Sequence, residues 1–276
     1  MAVPLGWTVA RFGSHVGESR TGLAFARTPV TAMDFSRLPR FAGIPWYERP
    51  VRVLGIETSS RRGTVALVED GRVISVAGTE APGGHAPYML GLVDHVLSDA
   101  GWAKTTLDRV AVGTGPGSFT GIRVGIALAQ CIALGLGRPV LGVSSLRAMA
   151  QAVPESIAGA RCAVVDARRN DVFCAEYDAD GAERRAPTAV RRENLTGWLA
   201  SAPEPRVVIG EMAALVLPEA PVLRSELTDL PHAAGVALAG SALGPETALA
   251  EAQYIRPADA IRPKLPQSPL SSGKPT

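Results

Sequence analysis

The sequence has little cysteine. Of its 276 residues only Cys131, Cys162 and Cys174 are cysteines, and no two of them form a C-x-x-C pair. An odd number of isolated cysteines argues against a disulfide framework and against a zinc ribbon, since both need closely spaced partners. The pattern is typical of a chain that works in a reducing compartment.

Most of the chain also lacks an excess of positive charge. The formal net charge is +2, but residues 1–50 hold six arginines and three acidic residues. Residues 51–276 therefore carry 22 basic and 23 acidic residues, a net charge of −1. A protein that binds nucleic acid without a partner usually presents a strongly basic surface. Residues 51–276 have no excess of basic over acidic residues.

No stretch has the pattern of a membrane span or a secretory signal. The apolar run at 124–136 is shorter than the roughly 20 residues that cross a bilayer, and Arg123 precedes it. The N-terminus lacks a basic segment followed by an apolar block. The sequence therefore predicts a cytoplasmic protein with no membrane partner.

Residues 1–50 have neither helical nor strand periodicity, and regular patterning begins at Val51. We interpret the segment as disordered, or as upstream sequence that the native protein does not contain. The 25 arginines against three lysines indicate a GC-rich coding sequence, and GTG, a valine codon, often starts translation in such genomes. A transit peptide is one alternative, weakened by Glu18 and Asp34. A basic arm that holds nucleic acid is another, although its net charge is only +3.

Two units of similar build follow Val51. The first opens with VRVLGIETSS, a strand that runs into a polar turn, and continues with two β-rich runs joined by Glu69-Asp70-Gly71, a hairpin signal. The second opens with ARCAVVDARRNDVFCAEYDADGAE, which repeats the order strand, polar turn, strand.

Predicted helices follow the strands of both units, at about 144–153, 191–200 and 231–243. The order of elements predicts an α/β protein of two lobes, each a mixed sheet with flanking helices. We place the N-terminal lobe at 51–153, the C-terminal lobe at 154–262 and a disordered tail at 263–276.

Apolar residues recur at helical spacing after the first strands. Met89, Leu92, Val93 and Val96 fall on one face, and Gly101 ends the pattern. The spacing predicts an amphipathic helix. We expect part of this stripe to pack on its own sheet and one edge of it to contact a partner.

A glycine-rich loop leads into a second helix in GTGPGSFTGIRVGIALAQCIALGLG, residues 113–137. The helix is apolar on nearly all sides, which predicts that it is buried. The loop is not a P-loop, because no G-K-[ST] follows. It is not a dinucleotide fingerprint either, because Thr120 stands where the third glycine belongs.

The loop has two possible uses. Unpaired N–H groups at a helix N-terminus bind anions, with Gly115, Gly117, Ser118, Thr120, Gly121 and Arg123 as candidates. Alternatively, the glycines allow close packing, and Ser118 or Thr120 caps the helix. We favour packing. Arg123 lies in the first turn, where its charge opposes the helix dipole, so we expect a partner carboxylate or a bound anion beside it.

Several segments together resemble the bacterial TsaB (YeaZ) family: VLGIETSS…TVALVEDG, VGTGPGSFTGIRVGIALAQCIALGLGRPVLGVSSL, VVDARRNDVFCAEY and AQYIRPADAIRPKLP. The resemblance covers roughly residues 51–266. It implies the two-lobed actin/Hsp70-like (RNase H-like) fold.

The resemblance also implies a function. Members support the catalytic subunit TsaD which, with the ATPase TsaE, transfers threonylcarbamoyl from its adenylate to N6 of adenosine 37 in tRNAs that read ANN codons. It implies a heterodimer with TsaD, a homodimer where TsaD is absent, and contact with tRNA only through the complex. It places the interface on the early helices, with Met89, Leu92, Val93 and Val96 as candidates. No cofactor of its own is expected, and ATP or ADP would lie at the subunit interface.

The residues offer little for catalysis. The resemblance implies that TsaD holds a metal through H-x-x-x-H, but here His85 is followed four residues later by Met89. We therefore expect no metal and interpret His85 as a solvent-facing residue. Glu57, Thr58 and Ser59, with Asp166 and Arg168 in the second unit, either line a nucleotide site or cap turns, and we favour the caps. The alternative functions are an independent nucleotide-binding enzyme of the sugar-kinase class and a peptidase, for which neither H-E-x-x-H nor G-x-S-x-G is present.

Overall fold

The structure, a computed structural model, describes residues 50–80, 84–201, 206–213, 222–244 and 250–255. The segment 1–49 and the tail 263–276, for which the sequence predicts disorder, lie outside these residues.

The N-terminal lobe is built on a five-stranded mixed sheet in the order β3-β2-β1-β4-β5. Its strands are β1 (Arg52–Glu57), β2 (Gly63–Glu69), β3 (Arg72–Thr79), β4 (Arg109–Gly113) and β5 (Val140–Val143). The predicted strand near Val51 is present as β1, which begins at Arg52. The predicted hairpin is confirmed, since Asp70 and Gly71 take the positive φ values of 47° and 70° that a tight two-residue turn between β2 and β3 requires.

The C-terminal lobe repeats this topology. Its strands are β6 (Ala160–Arg168), β7 (Asp171–Tyr177), β8 (Glu183–Arg191), β9 (Arg206–Ile209) and β10 (Val222–Leu223). They lie in the order β10-β9-β6-β7-β8, so in both lobes the first strand pairs antiparallel with the second and parallel with the fourth. The predicted fold class, two mixed sheets with flanking helices, is confirmed.

Helices cover both faces of the first sheet. Helices α1 (Met89–Asp99) and α2 (Phe119–Leu136) pack on one face. Helix α3 (Ser145–Gln151) joins the lobes, because Leu146 and Met149 enter the core of the second lobe while Ala148 enters that of the first. The second lobe has the short helix α4 (Leu195–Ala200), and α5 (Glu226–Asp229) precedes the last described helix, α6 (Ala233–Ala242).

Helix α6 does not belong to the lobe in which the sequence places it. Its alanines and Leu238 form one core cluster with Val53, Ala66 and Ala111 of the N-terminal sheet. The approach is close, because a Cβ on Gly55 would lie 2.4 Å from the carbonyl oxygen of Ala233. The predicted extent of the C-terminal lobe, 154–262, is therefore wrong at its end, since the chain returns to the N-terminal lobe before residue 233.

Candidate functional site

The polar turn after β1 is the centre of the site. Glu57 is fully buried, and its carboxylate accepts hydrogen bonds from the Ser59 N–H at 2.6 Å and from the Ser145 hydroxyl at 2.7 Å. The Thr58 hydroxyl donates to the carbonyl oxygen of Gly121 at 2.8 Å. Glu57 therefore organises the turn and ties it to α3 rather than facing a ligand.

The glycine loop packs directly on this turn. A Cβ on Gly117 would lie 2.2 Å from the carbonyl oxygen of Ser59, and one on Gly121 would lie 2.1 Å from that of Thr58. Gly115, with φ of +97°, donates its N–H to the Ser145 hydroxyl at 3.1 Å. The space beside Gly117 and Gly121 is therefore filled by the backbone of Thr58 and Ser59, which agrees with the packing interpretation of the loop.

Ser118 caps α2, in agreement with the interpretation that the loop serves packing and that Ser118 or Thr120 caps the helix. Its hydroxyl accepts from the Gly121 N–H at 3.2 Å, and its own N–H donates to the Ser59 carbonyl at 2.6 Å. Thr120 is exposed and does not cap the helix. Anion binding at this helix terminus stays a prediction.

Burial raises the pKa of Glu57, against the opposing effect of its hydrogen bonds from Ser59 and Ser145. The folded protein thus holds this proton at a higher pH than the unfolded chain, whose glutamates titrate near 4.5. The contribution of Glu57 to the free energy of unfolding is fully present below pH 4.5. It is lost as the pH rises through the pKa of Glu57 in the folded protein.

We expect Glu57→Gln to remove that dependence. The difference in unfolding free energy between variant and wild type should grow in favour of the variant as the pH rises above 4.5, by at most about 1.4 kcal/mol per pH unit, and should become constant above the folded pKa. Urea unfolding of both proteins at four pH values measures it. Other titrating groups are common to both proteins and cancel, so two parallel curves would contradict the prediction.

Arg123 lies within an aromatic cluster. Its guanidinium stacks 3.8 Å from the ring centroid of Phe119, and its Nε donates to the Tyr254 hydroxyl at 2.9 Å. The two rings are 5.1 Å apart. Within the described residues Arg123 thus contacts a tyrosine hydroxyl and a π face, and the partner carboxylate or bound anion expected beside it stays a prediction.

Helix α2 is not buried on all sides, and that prediction is wrong for the single chain. One face, with Ile122, Gly125, Ala129 and Ala133, packs on the sheet, whereas Leu134 on the outward side is 85% exposed. By length and composition alone α2 could cross a membrane, but the core helices of water-soluble proteins pass the same test, and its inner face belongs to the lobe's core. Its outward face carries Leu134 together with the exposed Gln130 and Cys131.

The predicted interface residues lie inside the protein. Met89, Leu92, Val93 and Val96 are between 0% and 3% exposed and pack against β1, β2 and α2 of their own lobe. The predicted helix is confirmed, but these four side chains are not available to a partner, because the whole stripe faces the sheet. Leu90, 55% exposed on the same helix, is the large apolar side chain of α1 that faces solvent, and the sequence interpretation did not single it out.

His85 is buried rather than solvent-facing, so that interpretation is also wrong. Only 8% of it is exposed, because its side chain packs where Gly63 leaves room. Burial lowers its pKa, and hydrogen bonds with the backbone of Thr58 and Arg61 oppose the effect. It packs against the polar turn, and its outer edge borders the space between the lobes.

A cleft of about 810 Å³ separates the lobes and is lined by both. On its N-terminal side Arg61 donates to the carboxylates of Glu80 and, across the cleft, Glu211. On the other side Asp166 accepts from the backbone N–H of Arg168 at 2.9 Å. Arg61 and Asp166 are thus both engaged with other groups of the protein. Among the described residues no group of three or more His, Cys, Asp or Glu side chains could hold a metal ion.

Comparison with known proteins points to one family. A family model described as TsaD, tRNA N6-adenosine threonylcarbamoyltransferase, matches residues 76–221. The tRNA threonylcarbamoyladenosine biosynthesis protein TsaB of Escherichia coli is 40% identical over 131 residues, which are 47% of this chain and 56% of that protein. TsaB of Bacillus subtilis is 34% identical over 125 residues, 45% and 54% of the two chains. The chain thus spans about half the length of the curated relatives it matches.

Solved structures point to the same family. A Pseudomonas aeruginosa protein described as similar to the peptidase YeaZ is 31% identical, with a TM-score of 0.61 over 75% of this chain and 100% of that one. A second structure, YeaZ from Pseudomonas aeruginosa, is 30% identical, with a TM-score of 0.59 over 74% and 99% of the two chains.

Proposed function

Since the chain belongs to the TsaB (YeaZ) family, we propose that it is a non-catalytic subunit supporting TsaD in the formation of threonylcarbamoyladenosine. TsaD transfers the threonylcarbamoyl group to N6 of adenosine 37 in tRNAs that read ANN codons. In this proposal the chain forms a heterodimer with TsaD in the cytoplasm, and TsaE joins a larger complex. A homodimer replaces the heterodimer when TsaD is absent, and tRNA is met only through the complex.

The outward apolar surface of the N-terminal lobe is the observation that carries the proposal. The exposed large hydrophobic side chains of the described residues are Leu90, Phe119, Leu134 and Tyr254. Leu90 belongs to α1, Phe119 and Leu134 belong to α2, and both helices cover the same face of the sheet. Phe119 and Tyr254 also line the cleft, whereas Leu90 and Leu134 stand on the outer side of two helices that cover one sheet face, and exposed apolar side chains of this kind are typical of a protein interface.

The site's own geometry favours a supporting role over independent catalysis. The turn at Thr58 and Ser59 occupies the space beside Gly117 and Gly121 of the glycine loop. Arg61 is already paired with two carboxylates. We therefore propose that ATP or ADP, where the complex uses it, lies at the subunit interface rather than within this chain.

Co-purification with TsaD from the same cell tests the proposal. We expect a stable complex, and we expect threonylcarbamoyladenosine formation by TsaD, TsaE and tRNA to require this chain. Full modification without the chain would overturn the proposal. ATP turnover by the purified chain alone would favour the sugar-kinase class instead.

A further inference from the structure

The segment 250–255 runs along one rim of the cleft between the lobes. We propose that this segment is a strap that ties the two lobes together and that Tyr254 latches it onto the first turn of α2. The inference concerns the free chain and does not depend on the proposed partner.

The first part of the strap is anchored to the N-terminal lobe. The N–H of Gln253 donates to the Thr114 carbonyl at 2.8 Å, and Ala250 and Ala252 pack on the core beneath α1 and α2. The strap passes close to the glycine loop, since a Cβ on Gly115 would lie 3.1 Å from the Gln253 carbonyl oxygen. A main-chain hydrogen bond fixes the strap's register.

Tyr254 provides the latch. Its ring packs on Phe119, its hydroxyl accepts from Arg123, and Arg123 is itself stacked on Phe119. Each of the three side chains contacts the other two, so the latch engages as a unit. Tyr254 is 45% exposed, so the latch is accessible to solvent. Its release therefore exposes little additional apolar surface.

The next residue reaches the other lobe. Ile255 packs against the hydrophobic cluster that contains Val165 and Phe173 of the C-terminal sheet. Neighbouring residues of the strap therefore contact different lobes. Arg61 and Glu211 also join the lobes through an ion pair, so the cleft is bridged at two places. Opening the cleft requires the strap to leave one of its two lobes.

Two measurements on the full chain test the strap: amide hydrogen exchange at Gln253, and the distance between spin labels on the exposed Cys131 and on Thr196→Cys in α4. We expect Tyr254→Ala to speed exchange at Gln253 about tenfold and to broaden the distance distribution. Tyr254→Phe, which loses only the hydroxyl, should speed exchange about threefold. Gln130→Ala, an exposed change elsewhere on α2, is the matched control and should alter neither.

Two results would overturn the strap. An amide at Gln253 that exchanges at the rate of an unstructured peptide in the wild type would overturn the anchor. Faster exchange in Tyr254→Ala with an unchanged distance distribution would show that the segment does not tie the lobes. Loss of the TsaD interaction would leave the inference intact, since both measurements use the free chain.

Discussion

Replacing Gly117 with valine is expected to abolish folding or assembly. The added Cβ would stand 2.2 Å from the Ser59 carbonyl oxygen, well inside contact distance. That oxygen accepts the Ser118 N–H, and Glu57 holds the same turn through the Ser59 N–H, so the valine can be accommodated only if these hydrogen-bonded main-chain segments move apart. Overpacking of this kind costs about 1–3 kcal/mol, a large share of a typical domain's stability.

Urea unfolding and soluble yield measure the effect, with Gly135→Val as the matched control. A Cβ at Gly135, near the C-terminal end of α2, would meet no atom within 4 Å. The free energy of unfolding of Gly135→Val should therefore differ from that of the wild type by only about 0.5 kcal/mol. Wild-type stability in Gly117→Val would contradict the packing role. Intact assembly combined with a loss of nucleotide binding would favour the phosphate interpretation of the loop.

A carboxylate on the outward face of α2 is expected to separate the subunits without unfolding either one. Leu134 is 85% exposed in the free chain, so Leu134→Asp removes almost no intramolecular packing. In a complex that buries this face, the charge should cost at least about 2 kcal/mol, or about 30-fold in affinity for TsaD. Leu90→Asp on α1 should act in the same direction. Calorimetric titration against TsaD, with circular dichroism as the folding check, measures both.

Two further variants separate surface from core. Thr196→Asp adds the same charge on the exposed side of α4 and should leave affinity unchanged. Leu92→Asp, at a side chain that is 3% exposed, should unfold the lobe rather than weaken the complex selectively. Unchanged affinity in Leu134→Asp and Leu90→Asp would rule out this surface as the interface.

Local chemistry explains what the sequence predicts well. The hairpin at Asp70-Gly71 follows from a turn that few residues can form, and α1 follows from a stripe with one clear apolar face. The helix N-terminus at Ser118 follows from a side chain able to bond the free N–H groups. In each case the determining atoms lie within a few residues of one another along the chain.

Where a helix is apolar all round, the sequence does not tell which surface covers it. Helix α2 has no polar side, yet half of it faces outward, because apolar residues serve equally for a chain's own core and for an interface. Helix α6, with the sequence AAGVALAGSA, likewise has no preferred face, and its position on the N-terminal sheet depends on residues far away in the chain. Gly55 and Gly235 are the sequence features that could indicate the close packing of α6, since both allow backbones to approach closely.

The return of α6 to the first sheet also sets an order of events during synthesis. The strands of the N-terminal lobe leave the ribosome early, but the face around Val53 and Ala111 stays uncovered until α6 has been made. At typical rates of translation this takes on the order of ten seconds. A nascent chain of this protein therefore exposes the apolar face around Val53 and Ala111 to water while the whole second lobe is being synthesised.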